Sequence, residues 1–450
     1  MRKTRIDILN GPIYKQILIF FFPIMLGTFF QQLYNTVDAI VVGNFVGKEA
    51  LAAVGGSTGT LINLLIGFIG GLASGATVVI AQEYGAGNFK GVKDGVKSGM
   101  FLGISLGLVL TGVGILFTPA LLRMMNVPTD MFDYSVLYMR IYLSGLVPTM
   151  IYNVGSGILR AVGDSKRPLY FLIVSCVVNI TLDVILVVVF NLGIVGVGVA
   201  TVISQVASAI LVMFVLSNKD AVYHYDLRKD INFDTVVLKR IVLIGLPMGI
   251  QSILYSISNL FIQAKVNVFG TSSIAAFTAF GKIDAIFWMI SNAYGAAVVT
   301  IAGQCYGAHK YKRVKEVSWV ASLMHALTSI IISLVCCLSG RILMHLFTND
   351  EEVIRIGIEI LYNIAPYWFT FVFVEVLSSS IRACGESLKP MIITAISICG
   401  VRILWILFYP ARSVIETLFC YPITWILTSL LFLLYFLFGK WLYKTKTETK

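Results

Sequence analysis

Long apolar segments recur along the whole chain, and they limit its possible folds more than any other feature. Of 450 residues, 58% are hydrophobic and only 13% are charged, whereas soluble domains carry about a quarter charged residues. A helix needs about 20 apolar residues to cross a bilayer. Because the segments lack β-type alternation and hydrocarbon satisfies no backbone group, the spans must be helices. The sequence therefore predicts an all-α polytopic membrane protein.

Twelve spans are predicted, and the basic residues between them fall mainly on one side. About three quarters of the 34 lysines and arginines belong to connections that share a side with both termini. The positive-inside rule then places both termini in the cytoplasm. Because the basic charge follows topology, no nucleic-acid partner is expected. The spans run roughly over 14–42, 51–81, 97–119, 131–157, 167–190, 194–217, 239–267, 273–303, 317–339, 352–380, 388–409 and 415–440.

The two halves of the chain repeat each other. Matching segments recur at a spacing of about half the chain: Arg160–Pro168 with Arg382–Pro390, Gln82–Ala86 with Gln304–Ala308, and Pro23 and Asn35 with Pro247 and Asn259. Since each half has an even number of spans, the copies share one orientation, as parallel repeats do. We predict two six-helix bundles, 1–217 and 239–450, joined by a cytoplasmic linker at 218–238, with a central cavity between them.

Asp38 is an acidic residue within the first predicted span, where an ionised side chain is unfavourable. An ionised aspartate at the bilayer centre costs roughly 2.5–3.5 kcal/mol. Gln31, Asn35 and Asp38 share one helical face, with Tyr34 beside them. A residue at the membrane boundary is the plain alternative, but this supporting polar stripe favours a buried, water-lined or ion-binding site. Upstream, Pro23 breaks a backbone hydrogen bond, which gives either a static kink or a hinge where the helix bends.

The second half does not repeat this carboxylate, since Asp38 corresponds to Ile262. Intramembrane charges usually pair, so we expect the charged residues of the second bundle to form a buried network. Either a structural ion-pair cluster or a direct substrate or proton site is compatible with the sequence. Its candidate members are Lys265, Lys282, Asp284, Glu375 and Arg402.

These patterns resemble the multidrug and toxic compound extrusion (MATE) family of secondary antiporters. The resemblance rests on Pro23–Gly27, Gln31–Ile40, Gln82–Asn88 and the two Arg-Ala-x-Gly-acid-Ser turns, and it covers essentially the whole chain. It implies export of cationic or amphiphilic organic compounds by alternating access, in exchange for Na⁺ or H⁺. No other cofactor is implied, and we expect a monomer in the lipid bilayer.

The resemblance also implies a coupling-ion site formed by Asp38, Asn179, Asp183 and Thr201. Asn179 and Asp183 share a face of an apolar helix, although an interhelical hydrogen-bond clamp is an alternative. Carboxylate, amide and hydroxyl oxygens suit a hard cation, so Asp38 and Asp183 would be metal ligands if the ion is Na⁺. Two adjacent carboxylates without a metal would retain a proton. The Thr201 hydroxyl has its own helix carbonyl as an alternative partner.

Other functions receive less support from the sequence. A lipid-linked oligosaccharide flippase of the same superfamily stays open as an alternative, but it would call for a strongly cationic cavity. An enzyme is not expected, because none of the four histidines forms an HExxH pattern and no Gly-x-Ser-x-Gly or P-loop pattern occurs. The seven cysteines lack CxxC spacing, so neither a zinc site nor a disulfide framework is predicted.

Overall fold

A computed structural model describes residues 7–227, 229–230 and 232–442. Within these ranges all regular structure is helical, which confirms the predicted fold class. Several basic residues that contributed to the predicted topology lie outside the described residues: Arg2, Lys3, Arg5, Arg228, Lys444, Lys446 and Lys450.

The described residues of the first half of the chain form eight α-helices. A six-residue π-helical segment, Val184–Val189, follows the seventh of them without a break. The helices are α1 (Ile13–Phe45), α2 (Lys48–Gly55), α3 (Ser57–Gly85), α4 (Phe89–Met124), α5 (Thr129–Ser144), α6 (Leu146–Ala161), α7 (Lys166–Asp183) and α8 (Gly193–Leu216).

The part of the second half that the structure describes contains ten α-helices. It includes a 3₁₀ segment at Ala365–Phe371 and a π-helical segment at Ala395–Gly400. The helices are α9 (Thr235–Asn267), α10 (Thr271–Gly307), α11 (Tyr311–Leu338), α12 (Gly340–His345), α13 (Glu351–Ile364), α14 (Val372–Ala383), α15 (Leu388–Thr394), α16 (Val401–Phe408), α17 (Val414–Leu418) and α18 (Cys420–Phe438).

Eleven helical stretches of the described chain are long and apolar enough to cross a bilayer. They correspond to eleven of the twelve predicted spans. The remaining prediction, 131–157, falls on α5 and α6, which have 16 residues each and are separated at Gly145. An alanine at position 145 would place its Cβ 3.2 Å from the Val202 side chain of α8. Close packing against α8 thus explains why glycine stands at this break.

The chain forms two compact units, but their boundaries differ from the predicted domains. The first unit contains residues Phe22–Gly249. The second unit combines the described parts of Met1–Phe21 and Ile250–Lys450. The predicted boundary at 218–238 therefore does not separate the units. Instead, α1 passes from one unit to the other next to Pro23, and α9 does so next to Pro247.

Two pairs of glycines explain why the start of α9 packs with the first half of the chain. Gly71 and Gly75 of α3 face Gly245 and Gly249 of α9, each pair in a GxxxG spacing. A Cβ on Gly71 would lie 2.6 Å from the Gly249 Cα atom, and a Cβ on Gly75 would lie 2.8 Å from the Gly245 Cα atom. Small residues let membrane helices approach backbone to backbone. We refer to these four residues as the glycine seam.

The polar connection before α9 is also attached to the first unit. Lys97 Nζ lies 2.8 Å from the Asp230 carboxylate, and the rings of Phe101 and Phe233 stack with centroids 4.1 Å apart. Burial acts to raise the pKa of Asp230, but the hydrogen bond from Lys97, the backbone hydrogen bond from Asp226 and the nearby positive charge of Lys97 together outweigh it, so the pKa lies below its usual value of 3.8. The predicted linker is therefore a folded segment held by contacts to α4, and we call such a segment a strap.

A matching strap precedes α1 in the other unit. Lys310 Nζ donates to the carbonyl oxygen of Leu9 at 3.1 Å and to the side-chain oxygen of Asn10 at 2.6 Å. Arg313 Nε donates to the carbonyl oxygen of Ile8 at 3.1 Å. The segment that leads into the first helix of each repeat is thus held by basic residues: Lys97 in one unit, and Lys310 and Arg313 in the other.

Candidate functional site

Four residues predicted to bind the coupling ion come together in the unit formed by Phe22–Gly249. Asp38 lies in the last third of α1, Asn179 and Asp183 in the last turns of α7, and Thr201 on α8. All four side chains are buried, and Asn179 and Asp183 are 0% exposed. Asn179, Asp183 and Thr201 lie around the Asp38 carboxyl group. We call these four residues the carboxylate cluster.

Thr201 has two oxygen neighbours, and their distances differ. Its hydroxyl lies 3.0 Å from the carbonyl oxygen of Val197, one turn earlier on α8, and 3.5 Å from Asp38 Oδ2. A hydroxyl has one hydrogen and two lone pairs, so the shorter contact takes the hydrogen. The Thr201 oxygen therefore keeps acceptor capacity beside Asp38. The hydroxyl thus bonds its own helix carbonyl and also lies beside Asp38, while its role in ion binding stays a prediction.

Most polar atoms of the carboxylate cluster lack a hydrogen-bond partner within the described chain. These unpartnered, buried atoms are Asp38 Oδ1, both carboxylate oxygens of Asp183, and both polar side-chain atoms of Asn179. Leaving a buried polar group unpaired costs about 1–3 kcal/mol, and more when the group is charged. A bound hard cation or a shared proton would satisfy these oxygens. The donor set therefore fits either ion.

Local backbone structure places Asp183 against α8. The π-helical segment Val184–Val189 begins directly after Asp183, and such segments occur frequently at functional sites. Asn191 and Gly193 then adopt positive φ angles of 52° and 56°, which reverse the chain into α8. Ser175 Oγ donates to the Ser204 carbonyl oxygen at 2.9 Å, which ties α7 to α8 next to the cluster.

Two tyrosines near the cluster were missed by sequence reasoning. Tyr138 and Tyr142 of α5 are buried, and both interact electrostatically with Asp38. Gln205 of α8 lies next to the Tyr142 hydroxyl group. Their spacing of four residues within one predicted span was the available signal, since it puts two hydroxyl groups on one helical face.

The predicted polar stripe on α1 is only partly confirmed. Tyr34 is buried beside the cluster, and Gln31 is half-buried and forms a hydrogen bond with Tyr34. Asn35, in contrast, is exposed. Spacing alone allowed Asn35 to share the face of Asp38, but the rotation of α1 buries Tyr34 instead. The helix also runs through Pro23 as continuous α-helix.

The predicted charge network of the second half is wrong as an ion-pair cluster. Lys282 is exposed and Lys265 is half-buried. In the described part of the chain, no ion pair within 4.0 Å joins any two of Lys265, Lys282, Asp284, Glu375 and Arg402. Glu375 is held by Ser379 Oγ at 3.4 Å. The reason is that neutral donors and acceptors reach the buried charges first.

Asp284 is the clearest example of a buried charge that is held by neutral donors. Its two carboxylate oxygens accept hydrogen bonds from the indole nitrogens of Trp288 at 2.7 Å and Trp368 at 3.0 Å. Asp284 also lines a cavity of about 230 Å³ within the second unit. The cavity is otherwise mainly aromatic, with Phe277, Phe280, Tyr421 and Trp425 beside Gln263 and Thr278.

The described residues combine an all-helical fold with eleven stretches of bilayer length, as in a multi-pass membrane protein. The MatE family pattern matches this chain twice, over residues 23–185 and 247–407. The chain therefore belongs to the MatE family of multidrug and toxic compound extrusion transporters, and it is a transporter rather than an enzyme. The two matches also confirm the internal duplication, one in each half.

Similar proteins carry related names. The chain is 31% identical to "Probable multidrug resistance protein YoeA" of Bacillus subtilis over 398 residues, which is 87% of this chain and 86% of that protein. It is 26% identical to "Probable multidrug resistance protein NorM" of Thermotoga maritima over 446 residues, 95% of this chain and 93% of that protein.

Solved structures confirm the fold. One is described as the outward-facing conformation of a multidrug resistance MATE family transporter of the MOP superfamily. It has a TM-score of 0.91 at 24% identity and covers 99% of this chain and 100% of its own. Another, described as MATE in the bent conformation, has a TM-score of 0.88 at 23% identity and covers 97% of both chains.

Proposed function

We propose that this transporter is a secondary antiporter that exports cationic or amphiphilic organic compounds in exchange for Na⁺ or H⁺. The observation that carries the proposal is the carboxylate cluster, whose buried oxygens lack protein partners. Among the described residues, no group of three or more His, Cys, Asp and Glu side chains lies together. Two carboxylates completed by neutral oxygens suit a hard monovalent cation or a proton better than a transition metal.

Within the proposed cycle, Asp38 and Asp183 hold the coupling ion, and Asn179 and Thr201 complete its oxygen shell. Ion binding replaces repulsion between two carboxylates by attraction of both to one positive charge. The end of α1 is thereby drawn to α7 and α8. Because α1 passes between the compact units two residues before Pro23, strain in α1 is released by bending where a helix hydrogen bond is already missing.

The cavity beside Asp284 supports an organic cation as substrate. Its aromatic walls suit a flat or amphiphilic molecule, and aromatic faces attract cations. The Asp284 carboxylate supplies the negative charge, and the two indole donors keep it in place. In this proposal the protein is a monomer in the bacterial inner membrane with both termini in the cytoplasm. The lead-in segments held by Lys97, Lys310 and Arg313 then face the cytoplasm.

Efflux of a fluorescent organic cation from proteoliposomes, with Na⁺ and pH gradients imposed separately, tests the proposal. Asp38→Asn and Asp183→Asn are expected to insert normally but to lose gradient-driven efflux. Asp133→Asn, at an exposed position of α5, is the matched control and should transport like wild type. Normal gradient-driven efflux by Asp38→Asn would refute the ion-site assignment. Efflux by wild type that depends on neither gradient would refute antiport altogether.

A further inference from the structure

Arg402 of α16 is a buried charge that no described carboxylate contacts directly, although Asp284 lies near enough to interact with it electrostatically. Its side chain is 1% exposed, and among the described residues no carboxylate lies within 4.0 Å of its guanidinium group. Nη2 has no hydrogen-bond partner in the same part of the chain. Burying an unpaired charge in a membrane helix is expensive. An arginine in this position therefore calls for an explanation.

The neighbours of Arg402 are those of a cation site. Nη1 donates to Asn259 Oδ1 at 3.3 Å, and Nε donates to Thr424 Oγ1 at 3.2 Å. The guanidinium carbon lies 4.2 Å from the centre of the Tyr421 ring. The Tyr421 hydroxyl also donates to Asn259 Oδ1, at 3.3 Å. Amide and hydroxyl oxygens together with an aromatic face stabilise positive charge.

The internal repeat places this group on the same three spans that carry the carboxylate cluster. Asn259 on α9 is the repeat partner of Asn35, which is exposed on α1 and lies outside the cluster, and Arg402 directly follows Val401, the partner of Asn179 on α7. The sixth span supplies a threonine in each half, from α8 in one and from α18 in the other. The first, fifth and sixth spans of each repeat thus converge on a site for positive charge.

We propose that the Arg402 guanidinium is a tethered cation that permanently occupies the second repeat's version of the ion site. The two carboxylates of the first repeat are absent there, since Ile262 and Trp405 replace Asp38 and Asp183, and Asp284 acts on Arg402 only from beyond ion-pair distance. A charge fixed to the chain needs no carboxylates to recruit it. The site of the second unit thus always contains a positive charge, and only the first unit responds to the coupling ion. This reading of the first unit rests on the proposed function.

Chemical rescue tests the proposal. Arg402→Ala keeps Cβ and leaves a space with the shape of ethylguanidinium. We expect this variant to melt several degrees lower than wild type in detergent and to lose efflux. Millimolar ethylguanidinium should restore both properties, whereas tetramethylammonium at the same ionic strength should not. Arg412→Ala, at an exposed position, is the matched control and should behave like wild type with or without the added cation.

Two results would overturn the tethered cation. One is an Arg402→Leu variant that is as stable and as active as wild type, because the charge would then be dispensable. The other is an Arg402→Ala variant whose melting temperature does not respond to ethylguanidinium. Melting is measured without any gradient, so it is independent of ion coupling. Coupled efflux by Asp38→Asn would defeat the proposed function, while rescued melting of Arg402→Ala would still establish the bound cation.

Discussion

Replacing Gly71 by alanine should destabilise the protein, whereas the same change at the adjacent Gly70 should not. In the glycine seam, a Cβ on Gly71 would lie 2.6 Å from the Gly249 Cα atom and 2.6 Å from the Met248 carbonyl carbon. Both are backbone atoms that cannot rotate away. A Cβ on Gly70 would have no neighbour within 4 Å. The two positions thus form a matched pair on one helix.

The expected size follows from separating two effects. Alanine is favoured over glycine inside a helix by about 1 kcal/mol, and both variants share that gain. Only Gly71→Ala adds the overpacking cost of about 1–3 kcal/mol. The difference between the variants therefore isolates the contact. A difference of 1 kcal/mol shifts a melting temperature by about 2–4 °C in a domain of 150–250 residues, so Gly71→Ala should melt several degrees below Gly70→Ala.

Thermal melting of both purified variants in one detergent, scanned at one rate, measures this difference. Equal melting temperatures would show that α3 and α9 do not approach backbone to backbone. A bulkier variant, Gly71→Leu, extends the series and should be less stable than Gly71→Ala. If Gly71→Leu were as stable as wild type, the glycine seam would have no role in fixing the start of α9.

Three further outcomes are expected. Asp230→Asn should lower the free energy of unfolding near neutral pH. The difference from wild type should vanish as the pH falls below the usual carboxyl pKa of 3.8, because the pKa is lowered in the folded state and protonation then removes the bond from Lys97 in wild type too. A difference that stays constant with pH would contradict this. Arg313→Ala should speed exchange of the Gly11 amide, which donates to the Asp7 carbonyl oxygen at 2.9 Å, in hydrogen-exchange mass spectrometry, and unchanged protection would exclude the strap. Asp284→Asn should weaken the binding of an organic cation about tenfold to a hundredfold in a fluorescence titration, since charged hydrogen bonds contribute about 1.5–3 kcal/mol. An unaltered affinity would show that the cavity beside Asp284 does not bind the substrate.

The fold could be predicted from the sequence because it depends on features that can be read along the chain. Apolar length identifies a span, and the repeated segments identify the duplication, without knowledge of which helices touch. The compact units could not be predicted in this way. Their boundaries at Phe22 and Ile250 depend on backbone contacts such as the glycine seam, and a GxxxG spacing does not reveal its partner helix.

The candidate site was predicted in part, and helix rotation explains the remainder. The carboxylate cluster came together as the family resemblance implied, while its ion-binding role stays a proposal. Asn35 was assigned to the buried face because spacings of three and four define a broad stripe, but the structure exposes it. Charges were expected to pair with charges, yet Asp284 pairs with two indoles and Arg402 with neutral oxygens. Pairing depends on side-chain reach between helices, which sequence spacing does not encode.

The strap that precedes α1 has a consequence for synthesis. Ile8 is made before Arg313, which holds its carbonyl oxygen and lies 305 residues later. At roughly 5–20 residues per second, the ribosome needs about 15–60 s to cover that distance. During this interval the segment leading into α1 must remain without its contact to Arg313. This segment therefore waits for the second unit, and a separately expressed second half would lack part of its own structure.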